Sequence, residues 1–139
     1  MNEKKLPSKD YFLLCEDFRM EGGNKTSLLG FAGSTGTVLN VPKQDNIALQ
    51  SLACVISLLD GEGTFKTHLV IVSPSNVILA QGDPESITLR PGQTSNIGFK
   101  IAPFPVTEGS YRVHLNLDDT RYDYHFSVAL IDQKPRSVS

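Results

Sequence analysis

The sequence predicts an all-β sandwich, and three observations support that prediction. No segment of ten or more residues shows the 3.6-residue apolar repeat of an amphipathic helix. Short runs rich in Val, Ile, Leu, Thr and aromatic residues alternate with turns rich in Gly, Pro, Asn and Asp. About eight to ten such runs fit into one chain of 139 residues, and that number of strands is typical of a sandwich or a barrel.

The predicted strands follow one another along the chain. They span Tyr11–Phe18, Ser27–Phe31, Thr37–Val41, Ala48–Leu59, Thr64–Ser73, Val77–Gln81, Glu85–Leu89, Ser95–Ile101, Ser110–Asp118 and Arg121–Leu130. The run IALQSLACVISLL is ambiguous, because its length also suits a helix. Its β-branched residues and the DGEG turn that follows favour a long strand.

One local pattern favours a sandwich over a barrel. Tyr111 begins a strand two residues after Gly109, just past the proline-rich segment PFPVTEG. This pattern resembles the tyrosine corner of immunoglobulin-like sandwiches, in which the phenol bonds back across the connection between two sheets. Val113 stands where antibody domains carry cysteine, and the chain has no tryptophan. The sequence therefore predicts an immunoglobulin-like antiparallel β-sandwich that is not of the antibody type.

The length predicts one domain with polar ends. We expect a flexible N-terminus over residues 1–10, a single sandwich over 11–131 and a flexible tail over 132–139. Cys15 and Cys54 lie in apolar runs, which indicates buried, reduced thiols. A bridge between them is the alternative, since sequence does not determine their separation.

Charge and hydropathy limit the classes of partner. Thirteen Lys and Arg stand against fifteen Asp and Glu, a net charge of −2, which predicts neither nucleic-acid nor anionic-membrane binding. No apolar stretch approaches the ~18 residues of a membrane helix. The early apolar run YFLLC is too short for a signal peptide, so the expected location is cytoplasmic.

The segment EGSYRVHLNLDDTRYDYHFSVAL predicts a closing hairpin. A turn centred on Asp119–Thr120 gives one apolar side and one polar side. The predicted apolar pairs are Leu117–Tyr122, Leu115–Tyr124, Val113–Phe126 and Tyr111–Val128. The predicted polar pairs are Asp118–Arg121, Asn116–Asp123, His114–His125 and Arg112–Ser127. A three-residue loop is the alternative, and it would shift this pairing.

Two groups of polar residues are candidate sites. His114 opposite His125, with Asp123 nearby, suggests a zinc or other divalent-metal site, and ordinary surface histidines are the alternative. His68 lies on another predicted strand with no evident convergence on this pair.

The second group is an acidic loop end. In the immunoglobulin arrangement the loops DGEG and DDTR lie at the same end of the sandwich. The candidate binding residues are Asp60, Glu62, Asp118, Asp119 and Arg121, for a cation, a sugar or a protein partner. The preference of Asp for turns explains the acidic residues equally well.

Motifs of catalysis are missing from the sequence. The segment GFAGSTG lacks the Lys–Ser/Thr ending and the following helix of a phosphate loop, so we interpret it as a wide turn. There is no G-x-S-x-G elbow and no Cys–His spacing typical of a nucleophile. We therefore expect no enzymatic activity, no catalytic residues and no cofactor.

Three segments also carry a resemblance. The runs YFLLCEDFRMEGGNKTSLLGFAG, TLRPGQ and EGSYRVHLNLDD resemble a small bacterial family catalogued as a domain of unknown function. The resemblance spans about residues 10–130 and implies an immunoglobulin-like sandwich in a bacterial, cytoplasmic protein.

These observations together predict a non-enzymatic module whose partner is another protein or a second copy of the chain. It would bind through its loop end, a sheet edge or a sheet face. The alternatives are a cation- or sugar-binding module at the acidic loop end and a metal-dependent hydrolase built on His114, His125 and Asp123.

Overall fold

The computed structural model describes residues 3–21, 25–43, 48–49, 51–82 and 84–132. These residues form strands and no helix. The strands are β1 (Lys9–Cys15), β2 (Asp17–Glu21), β3 (Lys25–Leu29), β4 (Gly33–Ser34), β5 (Val38–Pro42), β6 (Ala48–Leu49), β7 (Leu52–Leu59), β8 (Gly63–Val72), β9 (Ile78–Gln81), β10 (Glu85–Leu89), β11 (Thr94–Ile101), β12 (Phe104–Pro105), β13 (Gly109–Leu117) and β14 (Thr120–Ile131). No described residue belongs to a helix that could span a membrane.

Two sheets form the sandwich. The first sheet has the order β11-β7-β1-β4, and the second has the order β10-β8-β13-β14-β5, with β9 also paired to β8. The pairs are antiparallel except for β5 and β14, which are parallel. The prediction of an all-β, immunoglobulin-like sandwich is confirmed. Within the ambiguous run IALQSLACVISLL, residues 52–59 form the strand β7 and not a helix. Of the ends predicted to be flexible, 1–10 and 132–139, residues 1–2 and 133–139 lie outside the described residues, and β1 begins at Lys9 within the first of them.

The inward side chains of both sheets form one apolar core. Buried residues from β1 and β7 meet buried residues from β8, β13 and β14. Tyr111 stacks on Phe126 with ring centroids 5.0 Å apart, and Phe104 packs against Tyr111 at 5.3 Å. Aromatic contacts of this kind add to the stabilisation from burial alone.

The tyrosine corner is present as predicted. The Tyr111 side chain is fully buried, and its hydroxyl accepts a hydrogen bond from the Thr107 N–H at 2.8 Å. The same hydroxyl donates to the Pro105 carbonyl at 3.2 Å. These bonds satisfy backbone groups in the corner before β13, and they tie that corner to the core.

The outward face of the first sheet is covered by a hairpin. Ala53 and Val55 point away from the core yet are buried. The β2–β3 hairpin lies over them, and the Phe18 ring occupies the space in which Gly98 has no side chain. This cover explains why residues 52–59 form a nearly continuous apolar run in the sequence, since a strand buried on both faces loses its alternation.

The predicted strand Tyr11–Phe18 is interrupted at Glu16. The chain leaves the first sheet there, forms the β2–β3 hairpin and returns along β4. Gly30, Gly33 and Gly36 all have positive φ between that hairpin and β5, a conformation that glycine adopts without strain. The segment GFAGSTG, interpreted as a wide turn, carries the chain from the first sheet to the second, but it also contains the short strand β4, which pairs with β1.

The closing hairpin has a different register from the predicted one. Its turn is Asp118–Asp119, one residue earlier, and Leu117 pairs with Thr120. Asp118 adopts φ 50°, and both its N–H and its carboxylate bond to the backbone of Lys66. These bonds hold the early turn in place. A shift of two residues leaves each side chain on its predicted face but changes its partner.

The two cysteines lie on opposite faces of the first sheet. Cys54 belongs to the core between the sheets, whereas Cys15 points to the covered side, and both thiols are free and buried. Burial raises the pKa of Cys54 to about 12. This arrangement supports the prediction of reduced structural thiols over a bridge.

Candidate functional site

The acidic loops lie at one end of the sandwich, beside the N-terminal segment. Lys5 exchanges backbone hydrogen bonds with Glu62 at 2.8 and 2.9 Å. The Lys4 ammonium lies 2.8 Å from the Asp118 carboxylate, and that of Lys5 lies 3.9 Å from Asp60. The N-terminal segment therefore brings two positive charges to the predicted acidic loop end.

The carboxylates of Asp118 and Asp60 at this end already have partners. Asp118 accepts from Lys4 through one oxygen and from the Lys66 N–H through the other. These two hydrogen bonds, first that from Lys4, lower the pKa of Asp118. Asp60 accepts from the Gly92 N–H at 3.3 Å. A calcium ion would have to compete with these bonds for its six to eight oxygen ligands.

Three predicted residues of this group stand apart from those bonds. Glu62 and Asp119 have exposed side chains. Arg121 lies on β14 and donates to Asp123 at 2.9 Å and 3.3 Å, so it belongs to the sheet face rather than to the acidic loop end.

The predicted histidine pair is replaced by a histidine–carboxylate pair. His114 lies opposite Asp123, with Nδ1 2.6 Å from Oδ1, while His125 lies opposite Arg112. The prediction that His114 faces His125 is therefore wrong, because the turn closes one residue earlier. The hydrogen bond from His114, reinforced by the charge of Arg121, lowers the pKa of Asp123.

The third histidine shares this face. His68 lies on β8 opposite Asn116 of β13, and its Nε2 is 2.9 Å from the Gln81 amide nitrogen. The sequence did not indicate that His68 would lie near His114 and His125, because pairing between β8 and β13 is not local. The alternation of β8 was the available signal, since Leu69 and Ile71 are buried and their neighbours point outward.

We call the outward side of β8, β13 and β14 the histidine face. Its charged side chains are Lys66, Arg112, Arg121 and Asp123. Three positive groups against one negative group make it positive by two charges with neutral imidazoles, in a chain whose net charge is −2. A shallow depression of about 400 Å³ lies at its β13–β14 side, lined by Ser110, Arg112, His114, Arg121, Asp123, Tyr124 and His125.

An aliphatic strip borders the positive groups. Val70 and Val72 lie on β8 beside His114 and Arg112, and Ile78 of β9 pairs with Val72. Ile78 is 56% exposed and Val77, in the preceding turn, is 57% exposed. Apolar contact area next to arginine is typical of protein-binding surfaces.

Several polar side chains of the histidine face are bonded to one another or to a neighbouring turn. Among the described residues, no group of three or more His, Cys, Asp or Glu side chains is arranged to hold a metal ion. Asp123 is instead occupied by His114 and Arg121, whereas Arg112 donates to Asn76 in the β8–β9 turn. Guanidinium and imidazole groups of this kind bind carboxylates through charge-assisted hydrogen bonds.

A second, larger groove opens between the sheets at the β1–β5 edge. It has a volume of about 410 Å³ and is lined by Cys15, Glu16, Gly30, Phe31, Ala32, Leu39, Asn40, Val41, Ser51 and Leu52. Pro42 ends β5 at this edge, and proline at an edge strand removes a donor that an added strand would use. This edge is therefore a weaker candidate than the histidine face.

Comparison with known proteins gives weak structural similarities and no family. No family model matches the chain, and no curated protein matches it, so the resemblance to a small bacterial family stays a prediction. A solved structure that it resembles is the CARDB domain of the PF1109 protein from Pyrococcus furiosus, in complex with di-metal ions. The two are 15% identical over 93% of this chain and 95% of that chain, with a TM-score of 0.41. The assignment of the fold rests on the strand order and the tyrosine corner described above.

Proposed function

We propose that this protein is a non-enzymatic module that binds an acidic, partly apolar segment of another protein on its histidine face. The observation that carries the proposal is the contrast in charge: the face is positive within a chain that is negative overall. Complementary charge steers association and excludes partners of the wrong sign.

The chemistry of the face defines the partner. Arg112 and Arg121 offer planar, multidentate donors to carboxylates, and Arg is favoured over Lys for such contacts. Val70, Val72 and Ile78 add apolar area that an aliphatic side chain of the partner would cover. A strand-like segment with alternating acidic and aliphatic residues meets both requirements, because its side chains project at a two-residue period.

The proposal favours a protein partner over a second copy of the chain. Two copies placed face to face would bring Lys66, Arg112 and Arg121 of one copy against the same residues of the other. Like charges that oppose each other across an interface are unfavourable. Self-association through a sheet edge is the alternative that the experiment must distinguish.

Site-specific photocrosslinking tests the proposal. A photoreactive residue at Val70 samples the histidine face, and one at Ser27 samples the exposed side of the β2–β3 hairpin. In lysate of the source organism, we expect Val70 to give crosslinks to an acidic segment of one protein. Mass spectrometry of the crosslinked peptides identifies that segment, or identifies a second copy of the chain.

The control variants carry the same chemical change on opposite faces. Arg112→Glu reverses a charge on the histidine face, whereas Arg19→Glu reverses one on the hairpin. We expect Arg112→Glu to abolish the crosslink and Arg19→Glu to leave it intact. Equal crosslinking from both positions, or crosslinking insensitive to Arg112→Glu, would contradict the proposal.

A further inference from the structure

All three histidines of the chain lie on the histidine face. His68, His114 and His125 occupy outward positions on the neighbouring strands β8, β13 and β14. Histidine is the side chain whose charge ordinarily changes between about pH 5 and pH 8. The charge of this face is therefore the property of the molecule most open to control by protons.

The surroundings of His114 include both signs of charge. Asp123 lies opposite it on β14 and bonds to its Nδ1, and Arg121 bonds to the same carboxylate. Its β8 neighbour is Val70, which is uncharged. Arg112 lies two residues away along β13.

Apart from Asp123, the described neighbours of His68 and His125 are neutral or positive. His68 meets the neutral Gln81 and Asn116, with Lys66 two residues away on its own strand. His125 lies opposite Arg112, and the turn residue Gly36 is on its other side. Asp123 lies two residues before it along β14.

These neighbours determine how the face responds to protons. With neutral imidazoles, the three cations and one carboxylate sum to +2. Protonation of the three imidazoles adds up to three further positive charges. On the described strands of the face, the outward carboxylate is Asp123, which is bound by Arg121 and His114. Charge added to His114 therefore lies against Asp123. Charge added to His68 or His125 has no bonded carboxylate among the described residues and can attract carboxylates of a partner.

We infer that proton uptake by His68, His114 and His125 tightens binding of an acidic partner segment to the histidine face. This inference rests on the proposed function and specifies its regulation. Histidine side chains in general gain charge between about pH 8 and pH 5, whereas glutamates, with ordinary pKa values near 4.3, stay ionised over that range. The attraction between the face and the segment therefore increases.

A synthetic peptide measures the effect directly. The probe is a tetramethylrhodamine-labelled peptide of about eight residues that alternates Glu and Val, matching the two-residue period of a strand. Its Kd is measured by fluorescence anisotropy at about pH 7.5 and about pH 5.5 at low ionic strength, where surface charges are least screened. We expect the wild-type protein to bind about fivefold or more tightly at the lower pH.

Variants separate the inference from the proposed function. In the His68→Gln/His114→Gln/His125→Gln protein, the ratio of the two Kd values is expected to fall to about one, apart from any change due to the probe itself. His125→Gln alone, at an exposed position, is expected to reduce the ratio partly and guards against misfolding of the triple variant. Arg112→Glu is expected to weaken binding at both pH values.

Each outcome decides one of the two statements. Binding that depends on Arg112 but has equal Kd values at both pH values overturns the inference and leaves the proposed function standing. A triple variant that keeps the wild-type ratio also overturns the inference. If neither the wild type nor any variant binds the probe at either pH, the proposed acidic partner and its regulation are both rejected.

Discussion

The two outer faces of this sandwich differ in what covers them. On the first sheet, the β2–β3 hairpin lies over Ala53 and Val55, which are nearly as buried as the core although they point away from it. On the second sheet, the equivalent side is the histidine face, whose outward residues are polar or only partly buried. The types of residue at outward positions therefore indicate whether another segment covers that face of a sheet.

The cover consists of a few specific contacts. The Phe18 ring lies against the glycine at position 98, and the Asn96 amide donates to Thr26 at 2.9 Å. The hydrogen bond from the Phe18 N–H, helped by Lys100 at 3.4 Å, lowers the pKa of the Asp17 carboxyl. The ring supplies apolar burial, while the other contacts orient the hairpin.

The largest expected effect comes from placing the same charge on both faces. Val55→Asp buries a carboxylate beneath the hairpin and should reduce the free energy of unfolding by about 3 kcal/mol or more. Val70→Asp, on the histidine face, should change it by less than about 1 kcal/mol. Urea unfolding followed by circular dichroism measures both, since the chain lacks tryptophan. Equal effects would contradict the difference between the faces.

A smaller effect is expected from removing the Phe18 ring, which packs the β2–β3 hairpin against the first sheet. Phe18→Ala should reduce the free energy of unfolding by about 2 kcal/mol, because a partly buried ring is lost. It should also speed labelling of Cys15, which lies on the covered side, by a thiol reagent. Phe31→Ala removes a ring that is 61% exposed, and its effect should be within about 0.5 kcal/mol. It is the matched control for the free energy of unfolding alone, because Phe31 lines the same groove as Cys15. Unchanged labelling of Cys15 would show that Phe18 does not hold the cover.

A still smaller, pH-dependent effect is expected at Asp123. Its pKa in the folded protein is lowered, first by the hydrogen bond from His114, so its ionised form stabilises the fold. That contribution is present above the unfolded value of about 3.9 and is lost as the pH falls through the lower folded value.

Asp123→Asn should therefore cost less than about 1 kcal/mol near pH 7, since the side chain is 54% exposed. The difference from wild type should vanish in acid. The urea midpoint as a function of pH measures it, with Asp132→Asn, at an 81% exposed carboxylate, as the control. A difference that grows on acidification would contradict this account.

No effect is expected from calcium at the loop end. Both oxygens of Asp118 are bonded, to Lys4 and to the Lys66 N–H, so a cation gains little there. The melting temperature should be the same with millimolar calcium and with a chelator. A rise with calcium that Asp118→Asn removes would instead support the cation-binding alternative, because a ligand of the folded state must stabilise it.

The closing hairpin illustrates how far sequence reasoning reaches. The alternation of residues 109–130 placed each side chain on its observed face, and Gly109 and Tyr111 marked the tyrosine corner. The turn was placed one residue too late, because DDTR permits more than one turn. The contact that selects it, between Asp118 and Lys66, joins positions 52 residues apart.

The candidate sites follow the same division. The sequence indicated the acidic loops, but it could not show that Lys4 and Lys5 would lie against them. It also could not place His68 beside His114, since that depends on how β8 pairs with β13. Contacts between distant strands are set by the packing of the whole core, which a local pattern does not contain.

Local sequence patterns were enough to predict the fold class, the approximate strands, the face on which each hairpin residue lies and the tyrosine corner. These properties depend on two-residue periodicity and on turn chemistry, which act within a few residues. Those patterns could not predict the register of the closing turn, the position of the β2–β3 hairpin over Val55 or the location of all three histidines on one face. Those depend on which strands become neighbours, and that choice is made by burial of the core as a whole.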